Sequence, residues 1–430
     1  QAWGEIPNPQ AFSGYMGHYH QTLRKWDPGP FDFKKFCDGV RGRACFPVST
    51  QKLEPGQCQA IPSDTDELKK QTDKLYALNE AAQGGFFPVG PWGQKRLWHG
   101  GVHLAKSKGE PVSSPFPGLL VAARMGPPGP LGSTNFVLVR HDMSVGPESI
   151  RFYALYYHLD DERGDGAPEW MTESKTWNAS AGGQVQLLEE PVQAGARLGR
   201  VGVAGPSHAS GAQLHLQIFA REPFVEDVQR IGIPASIWTV LDGTLGGRFC
   251  ELTEIIDVID KNRDNTIEDK EVLDAFRGTS RDVFHNFAVL FQSEWYGTSE
   301  SWVAALKTSK DFAGVKDAEL GRYVEDQITP NLWWDKALAK HARLPSDGIV
   351  WHFHPVAFIK FINEKLLEAA ADSEGIGKYD VGDASITPET VTDDREDEDG
   401  SSFASEKELK GIDVVVNEIP LEELVQGFQD

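Results

Sequence analysis

Basic residues are the first shortage. Lys and Arg total 42 against 64 Asp and Glu, a formal charge of -22 over 430 residues. Such a chain lacks the cationic surface that displaces counterions from nucleic-acid phosphates, so nucleic acid is excluded as a partner. Long apolar runs are also missing: none approaches the roughly 20 residues a bilayer-crossing helix needs, so no membrane span is expected. Cysteine is scarce, at four, and no CxxC spacing suggests a zinc knuckle. Cys37, Cys45 and Cys58 crowd into one Gly/Pro-rich stretch while Cys250 stands apart, leaving a disulfide among the first three and unpaired thiols both open. From Gln1 onward there is no basic-then-apolar leader, so an export signal is expected to be absent or already removed. No internal repeat appears at a fixed period.

What is present reads as globular. Hydrophobic residues make up 40% and charged residues 25%, and the length predicts two domains with connecting segments. Residues 1–84 form an extension, irregular around Trp26-Asp27-Pro28-Gly29-Pro30 and helical from Asp64 to Ala82, where Leu68, Leu75 and Leu78 recur near helical spacing. Residues 85–225 show short alternating apolar segments at 119–123, 135–139, 151–157 and 213–219, separated by Gly/Pro clusters, the pattern of an antiparallel β domain. Residues 234–370 carry amphipathic segments such as Thr253 to Ile259 and Val283 to Phe291 and are expected to be mainly helical. Residues 371–430 comprise a solvated acidic run at 393–399 and a tail from Ala404 with enough apolar residues to dock. The fold class is therefore α+β multidomain.

The first chemical constellation is rich in histidine. Trp98-His99-Gly100-Gly101-Val102-His103-Leu104 is followed by Pro111-Val112-Ser113-Ser114-Pro115-Phe116-Pro117-Gly118, by Tyr157-His158-Leu159 and by Gln213-Leu214-His215-Leu216. In order and spacing these blocks resemble those of LytM/lysostaphin-type zinc peptidases, over about a third of the chain. The resemblance implies zinc ligands at His99, His103 and His215, a catalytic histidine at His158, and peptidoglycan as substrate. Two positions depart from the family: His103 stands where it has Asp, and Gln213 where it has the first His of HxH. Imidazole is an ordinary zinc ligand, so a three-histidine set keeps a fourth position for water. Gln213 cannot take a proton; it can only hydrogen-bond and orient, leaving His158, or His208 just upstream of the last block, to carry proton transfer. An active zinc hydrolase and a binding domain without catalysis both stay open. His141 is expected at a surface strand end.

The second constellation is a calcium loop. Asp260, Asn262 and Asp264 place side-chain oxygens at positions 1, 3 and 5 of a twelve-residue EF-hand pattern, Thr266 offers a carbonyl at 7, Ile267 is the apolar position 8, and Glu271 is the carboxylate at 12. Asn265 replaces the usual Gly at position 6, a mild departure because Asn tolerates a left-handed backbone. With one such loop, a structural Ca2+ is expected.

The third constellation lies in the helical half. Ser293-Glu294-Trp295, Asn331-Leu332-Trp333-Trp334-Asp335 and Trp351-His352-Phe353-His354-Pro355 combine clustered aromatics with a carboxylate. The order of zinc domain, calcium loop and these blocks resembles modular type VI secretion peptidoglycan hydrolase effectors, which join a zinc domain to a lysozyme-like domain containing an EF-hand. The resemblance implies a lysozyme-like fold for 234–370, with Glu294 as general acid beside Trp295, whose apolar face would raise its pKa. Glu300, Asp311 and Asp335 are candidates for the second carboxylate. His352 and His354 would share a strand face, as a metal pair or a packed motif; Trp333 and Trp334 would stack on sugars or fill the core.

Together these expectations describe a secreted peptidoglycan hydrolase acting in the periplasm or cell wall of a target bacterium. It would cleave glycan strands in one domain and use zinc on peptide or amide bonds in the other. A secretion-apparatus carrier and a cognate immunity protein are the implied partners. The alternative is a non-catalytic cell-wall-binding or delivery protein.

Overall fold

Asp64 ends the extension and starts the first helix, its carboxylate accepting the Glu67 amide at 2.9 Å, the N-cap role that satisfies one of the helix's orphan donors. The computed structural model describes residues 18–20, 25–27 and 44–376, except 55–56, 83, 91–95, 127, 130, 146–147, 162–182, 206–209, 222–237 and 279. Residues 1–17, 21–24 and 28–43 of the N-terminal extension, with Cys37, and also His208, the acidic run and the tail lie outside the described residues. Helix α1 is Thr65–Glu80. The strands in chain order are β1 (His18–His20), β2 (Lys25–Asp27), β3 (Gly101–Ala105), β4 (Pro111–Ser113), β5 (Gly118–Arg124), β6 (Asn135–Val145), β7 (Glu148–Leu159), β8 (Val185–Val192), β9 (Arg197–Arg200), β10 (Val203–Ala204), β11 (Gly211–Ala220), β12 (Thr239–Asp242), β13 (Phe287–Gln292) and β14 (Ile349–Phe353). The expected segments at 119–123, 135–139, 151–157 and 213–219 fall inside β5, β6, β7 and β11.

One sheet dominates, ordered β12-β13-β14-β11-β7-β6-β5-β8, with β3 and β10 also paired to β11. It is antiparallel apart from the β12–β13 pair. Helical residues outnumber strand residues over 234–370, as the sequence suggests, but the segment is not separate from the sheet. That segment supplies β12, β13 and β14 to the same sheet, joined where Ile218 pairs with Phe353. It also carries α2 (Thr253–Ile259), α3 (Asp269–Arg277), α4 (Arg281–His285), α5 (Ser299–Leu306), α6 (Asp317–Tyr323), α7 (Lys336–Ala342) and α8 (Pro355–Ile376). The apolar run 283–291 misled because a short buried stretch has no distinguishing period: it splits into the end of α4 and strand β13.

Both faces of the sheet are covered, which explains why its central strands are apolar on both sides. On one face, Val102, Leu104, Leu214, Leu216 and Tyr156 join Leu75 of α1, Val289 and Ile359 of α8 in a common core. On the other, Tyr153, Leu155, Tyr157 and Phe219 pack against Trp295, Trp333, Trp334 and Leu338. The region expected to be independent is thus the lid of the second face. No described helix is long and apolar enough to cross a membrane.

Candidate metal centre

His103 of β3 lies directly opposite His215 of β11 in the antiparallel ladder, so strand geometry puts both side chains on the same face. Val102 and Leu104 point the other way into the first core, which leaves His103 on the second face. His99 sits just before β3. Its neighbour Trp98 is stacked on Phe291 with ring centroids 4.1 Å apart and its amide donates to the Arg248 carbonyl at 3.1 Å. Ring nitrogens of His99, His103 and His215 all lie within 4.8 Å of one another, and all three residues are buried. Glycine makes the approach possible: a Cβ at Gly84 would stand 2.7 Å from the His103 ring, and one at Gly101 2.8 Å from Nε2 of His215.

Burial sets the protonation of these rings. It pushes His99 and His103 well below the ordinary histidine value. It takes His215 down to about 4 although the Glu294 charge pulls the other way. Neutral imidazole is the form that binds metal. Nδ1 of His103 is buried with no hydrogen-bond partner, an exception among buried polar atoms that a metal would resolve. Three neutral nitrogen donors match the protein ligands of a three-histidine zinc site, and zinc is the metal these residues fit.

His158 reaches the same place by breaking strand regularity. Asn135 pairs with Leu159 and Phe136 with Tyr157, so His158 is the extra residue of a bulge, with φ at 60°. Bulges of this kind re-aim a side chain. The ring centroid of His158 lies 5.6 Å from that of His103 and 6.4 Å from that of His215. Its Nδ1 is 2.7 Å from the Ser133 carbonyl. A carbonyl only accepts, so Nδ1 carries the proton and Nε2 the lone pair. Burial holds this ring at about 3. Gln213, buried two residues before His215, lies on the same strand face and pairs with Ala105.

Glu294 arrives over this face from the covering segment. Its Oε1 accepts the Gly100 amide at 3.2 Å and its Oε2 the Gln217 amide at 3.3 Å. Nε2 of His215 lies 4.0 Å from Oε1, with both side chains fully enclosed. Gln217 is the hub of the neighbouring contacts: its Nε2 reaches Nδ1 of His352 at 3.0 Å and its Oε1 accepts Nε1–H of Trp295 at 2.7 Å. Trp295 stacks on Tyr157 at 4.3 Å and is itself buried. The expected general acid and its tryptophan therefore belong to the surroundings of the histidine cluster and present no open face to a sugar.

The other carboxylates considered are elsewhere. Glu300 is exposed in the first turn of α5, the Asp311 carboxylate accepts the Ser309 hydroxyl at 2.8 Å, and Asp335 caps α7 through the Leu338 amide at 2.8 Å. His352 and His354 do not pair: His352 meets Gln217, whereas His354 packs with His285 at 4.6 Å and with Tyr76 at 5.4 Å. Trp333 and Trp334 fill the second core. His141 is corrected from a surface position to a fully buried one within β6, stacked on Phe152 at 4.7 Å.

No family model matches the chain, and no curated protein does. Solved structures give weak likenesses. A zinc-containing peptidase from Vibrio cholerae is 16% identical over 33% of this chain and 36% of its own length, with a TM-score of 0.18. The catalytic domain of a mutant of the prophage-encoded M23 protein EnpA from Enterococcus faecalis is 19% identical over 33% of this chain and 78% of its own, with a TM-score of 0.18. A putative M23 peptidase from Pseudomonas aeruginosa is 17% identical over 37% and 59%, with a TM-score of 0.16. The matched part of this chain spans about a third of the first of these (36%). None of them carries an assignment.

The loop from Asp260 to Glu271 joins α2 to α3. Asp260 accepts the amides of Arg263 at 2.7 Å and Asn265 at 3.0 Å. Asn262 accepts that of Asp264 at 2.8 Å, and Asp264 that of Thr266 at 2.8 Å. Glu271 folds back onto the amides of Lys261 at 3.2 Å and Glu268 at 3.1 Å. Asn265 takes the left-handed conformation expected of it, with φ at 65°. Among the described residues, Asp260, Asp264 and Glu271 are not gathered as closely as the three histidines. Arg96 ties the loop to the histidine cluster: its Nε donates to the Ile267 carbonyl at 2.9 Å and its guanidinium meets Asp269 at 2.7 Å, three residues before His99. Neither Arg96 nor Gln217 stood out in the sequence. The signal available for Gln217 was its place two residues after His215 on a strand.

Proposed function

We propose that the chain is a zinc-dependent hydrolase acting on amide bonds of peptidoglycan, with His99, His103 and His215 as ligands and His158 as the proton acceptor. The observation that supports this most is that four histidines separated by up to 116 positions are brought to one buried face, the fourth by a bulge at His158. When bound, zinc would polarise the scissile carbonyl and acidify a water. The protein's own groups do the rest. His158, oriented by Ser133, offers Nε2 to take a proton and return it to the leaving amine. Gln213 orients by hydrogen bonding, and Trp295 and Tyr157 exclude water from the cluster's flank.

Calcium belongs to the same proposal as a structural ion in the 260–271 loop, held by Asp260, Asn262, Asp264, the Thr266 carbonyl and Glu271. The support is the oxygen spacing and the left-handed Asn265. In the wider setting we propose a secreted antibacterial toxin working in a target bacterium's periplasm or cell wall, with a secretion-apparatus carrier and an immunity protein as partners, on the strength of motif order in the sequence. Glycan cleavage by Glu294 and Trp295 is the second activity to be sought. The enclosed position of Glu294 beside His215 favours a part in the metal centre instead. Gln213, in place of a proton acceptor, favours the non-catalytic wall-binding alternative.

Digestion of purified peptidoglycan by the zinc- and calcium-supplied chain, followed for new amines and new reducing ends, separates these readings. New amines that vanish in His158→Ala are expected. Zinc-loaded protein that releases no amine would overturn the hydrolase proposal.

A further inference from the structure

Position 103 changes the charge of the candidate zinc site. With Asp there, the resembled pattern has two neutral ligands and one anionic one; with His103 the set is neutral, and a divalent ion would sit among buried imidazoles without a counter-charge in its ligands. Buried charge is expensive unless paired, so an anion close by would stabilise the bound ion. One is present. The Glu294 carboxylate is fully enclosed, 4.0 Å from Nε2 of His215, and accepts from the Gly100 backbone amide and the Gln217 side-chain amide.

The backbone is shaped around this carboxylate. A Cβ at Gly100 would come nearest to Nε2 of Gln217 and would lie 2.7 Å from Oε2 of Glu294 and 3.0 Å from Nδ1 of His352, so a side chain at position 100 would disturb the Gln217–Glu294 pair. Gly100 and Gly101 have separate tasks: the first admits Gln217 and Glu294, the second His215. Gln217 holds Glu294 on one side and is itself fixed by Trp295 and His352. A rigid carboxylate beside a metal-binding histidine is the arrangement that fixes ring orientation and raises ligand basicity. An approach of about 1 Å would turn the present separation into a hydrogen bond.

We infer that Glu294 is a positioning residue of the metal centre, orienting His215 and supplying from outside the ligand set the negative charge that Asp at position 103 would bring. The inference rests on the zinc reading of the three histidines. It gives the segment covering the second sheet face a part in the site, since the metal centre is incomplete without Ser293-Glu294-Trp295.

The test is zinc affinity by competition with a chromogenic chelator, with the visible spectrum of the cobalt-substituted protein as a second readout, on the full chain. Glu294→Gln should weaken zinc binding about 10- to 100-fold and alter the cobalt spectrum. Adding His103→Asp to Glu294→Gln should recover most of the loss, because the charge returns by another route. Wild-type protein that binds no zinc overturns the zinc reading and this inference with it. Wild-type binding matched by Glu294→Gln overturns this inference alone, as does a loss that His103→Asp leaves unrescued. If Glu294→Gln does not fold, the double variant decides: a folded, zinc-binding double variant supports the inference, and one that neither folds nor binds overturns it.

Discussion

His103 and His215 face each other across the β3–β11 ladder with ring centroids 4.9 Å apart, which puts the His103 ring where the proposed site needs a ligand. His103→Ala should weaken zinc binding by at least about a hundredfold, whereas His103→Asp should keep one zinc per chain. Chelator competition on the two variants checks this.

His158 lies 5.6 Å from His103 by ring centroid but outside the group of three histidines. His158→Ala should retain zinc and lower the amide-hydrolysis rate by about 10²–10⁴-fold. Measuring metal content and rate on the same preparation separates the two effects. Loss of zinc in this variant would make His158 a ligand.

Acid should destabilise the fold, and His141 supplies a clean part of that effect. Burial holds its pKa down to about 4 from 6.5, while Nδ1 meets the Pro117 carbonyl at 2.9 Å and Nε2 is buried without a hydrogen-bond partner. The folded value lies below the unfolded one, so the unfolded chain takes up the proton first as pH falls. Stability from this residue is full above pH 6.5 and is lost as pH falls through the window to about 4. Urea unfolding between pH 7 and 4.5 should show His141→Leu losing about 2–3 kcal/mol less than wild type. His285, held at about 3 by burial, adds to the same acid limb and is unaffected by that substitution.

Calcium occupancy should be felt at the histidines through Arg96. Calcium at about a hundred times its dissociation constant should stabilise the chain by about 2.7 kcal/mol, an effect abolished by Glu271→Gln. Arg96→Ala should leave calcium binding in place and remove the coupling by which calcium tightens zinc. Calorimetric zinc titrations with and without calcium, on wild type and Arg96→Ala, test this.

Sulfur atoms of Cys45 and Cys58 lie 2.6 Å apart, while Cys250 is buried elsewhere. Under a disulfide oxidant, peptide mapping should find Cys45 linked to Cys58 and Cys250 alkylated only after unfolding. A Cys37 linkage would contradict this.

The sequence made the strands around the site legible because their alternation and Gly/Pro boundaries are local. It made His99, His103, His158 and His215 legible through order and spacing. It did not reveal that 234–370 joins the same sheet, because β13 and β14 are short buried strands whose apolar runs resemble helix segments. Glu294 stands out in the sequence as a carboxylate beside a tryptophan, which suggests a general acid; its place next to His215, 79 positions away, is set by the fold. His141 was misplaced because a histidine between Arg140 and Asp142 looks polar, although strand alternation turns it inward while its neighbours form ion pairs outside.

Zinc K-edge X-ray absorption on protein loaded with one equivalent of zinc tests the central claim most directly. Ligation by three imidazole nitrogens and one oxygen donor, without sulfur, that changes when His103 is replaced is the predicted result. Zinc that fails to bind stoichiometrically, or a spectrum unchanged in His103→Ala, would contradict the account.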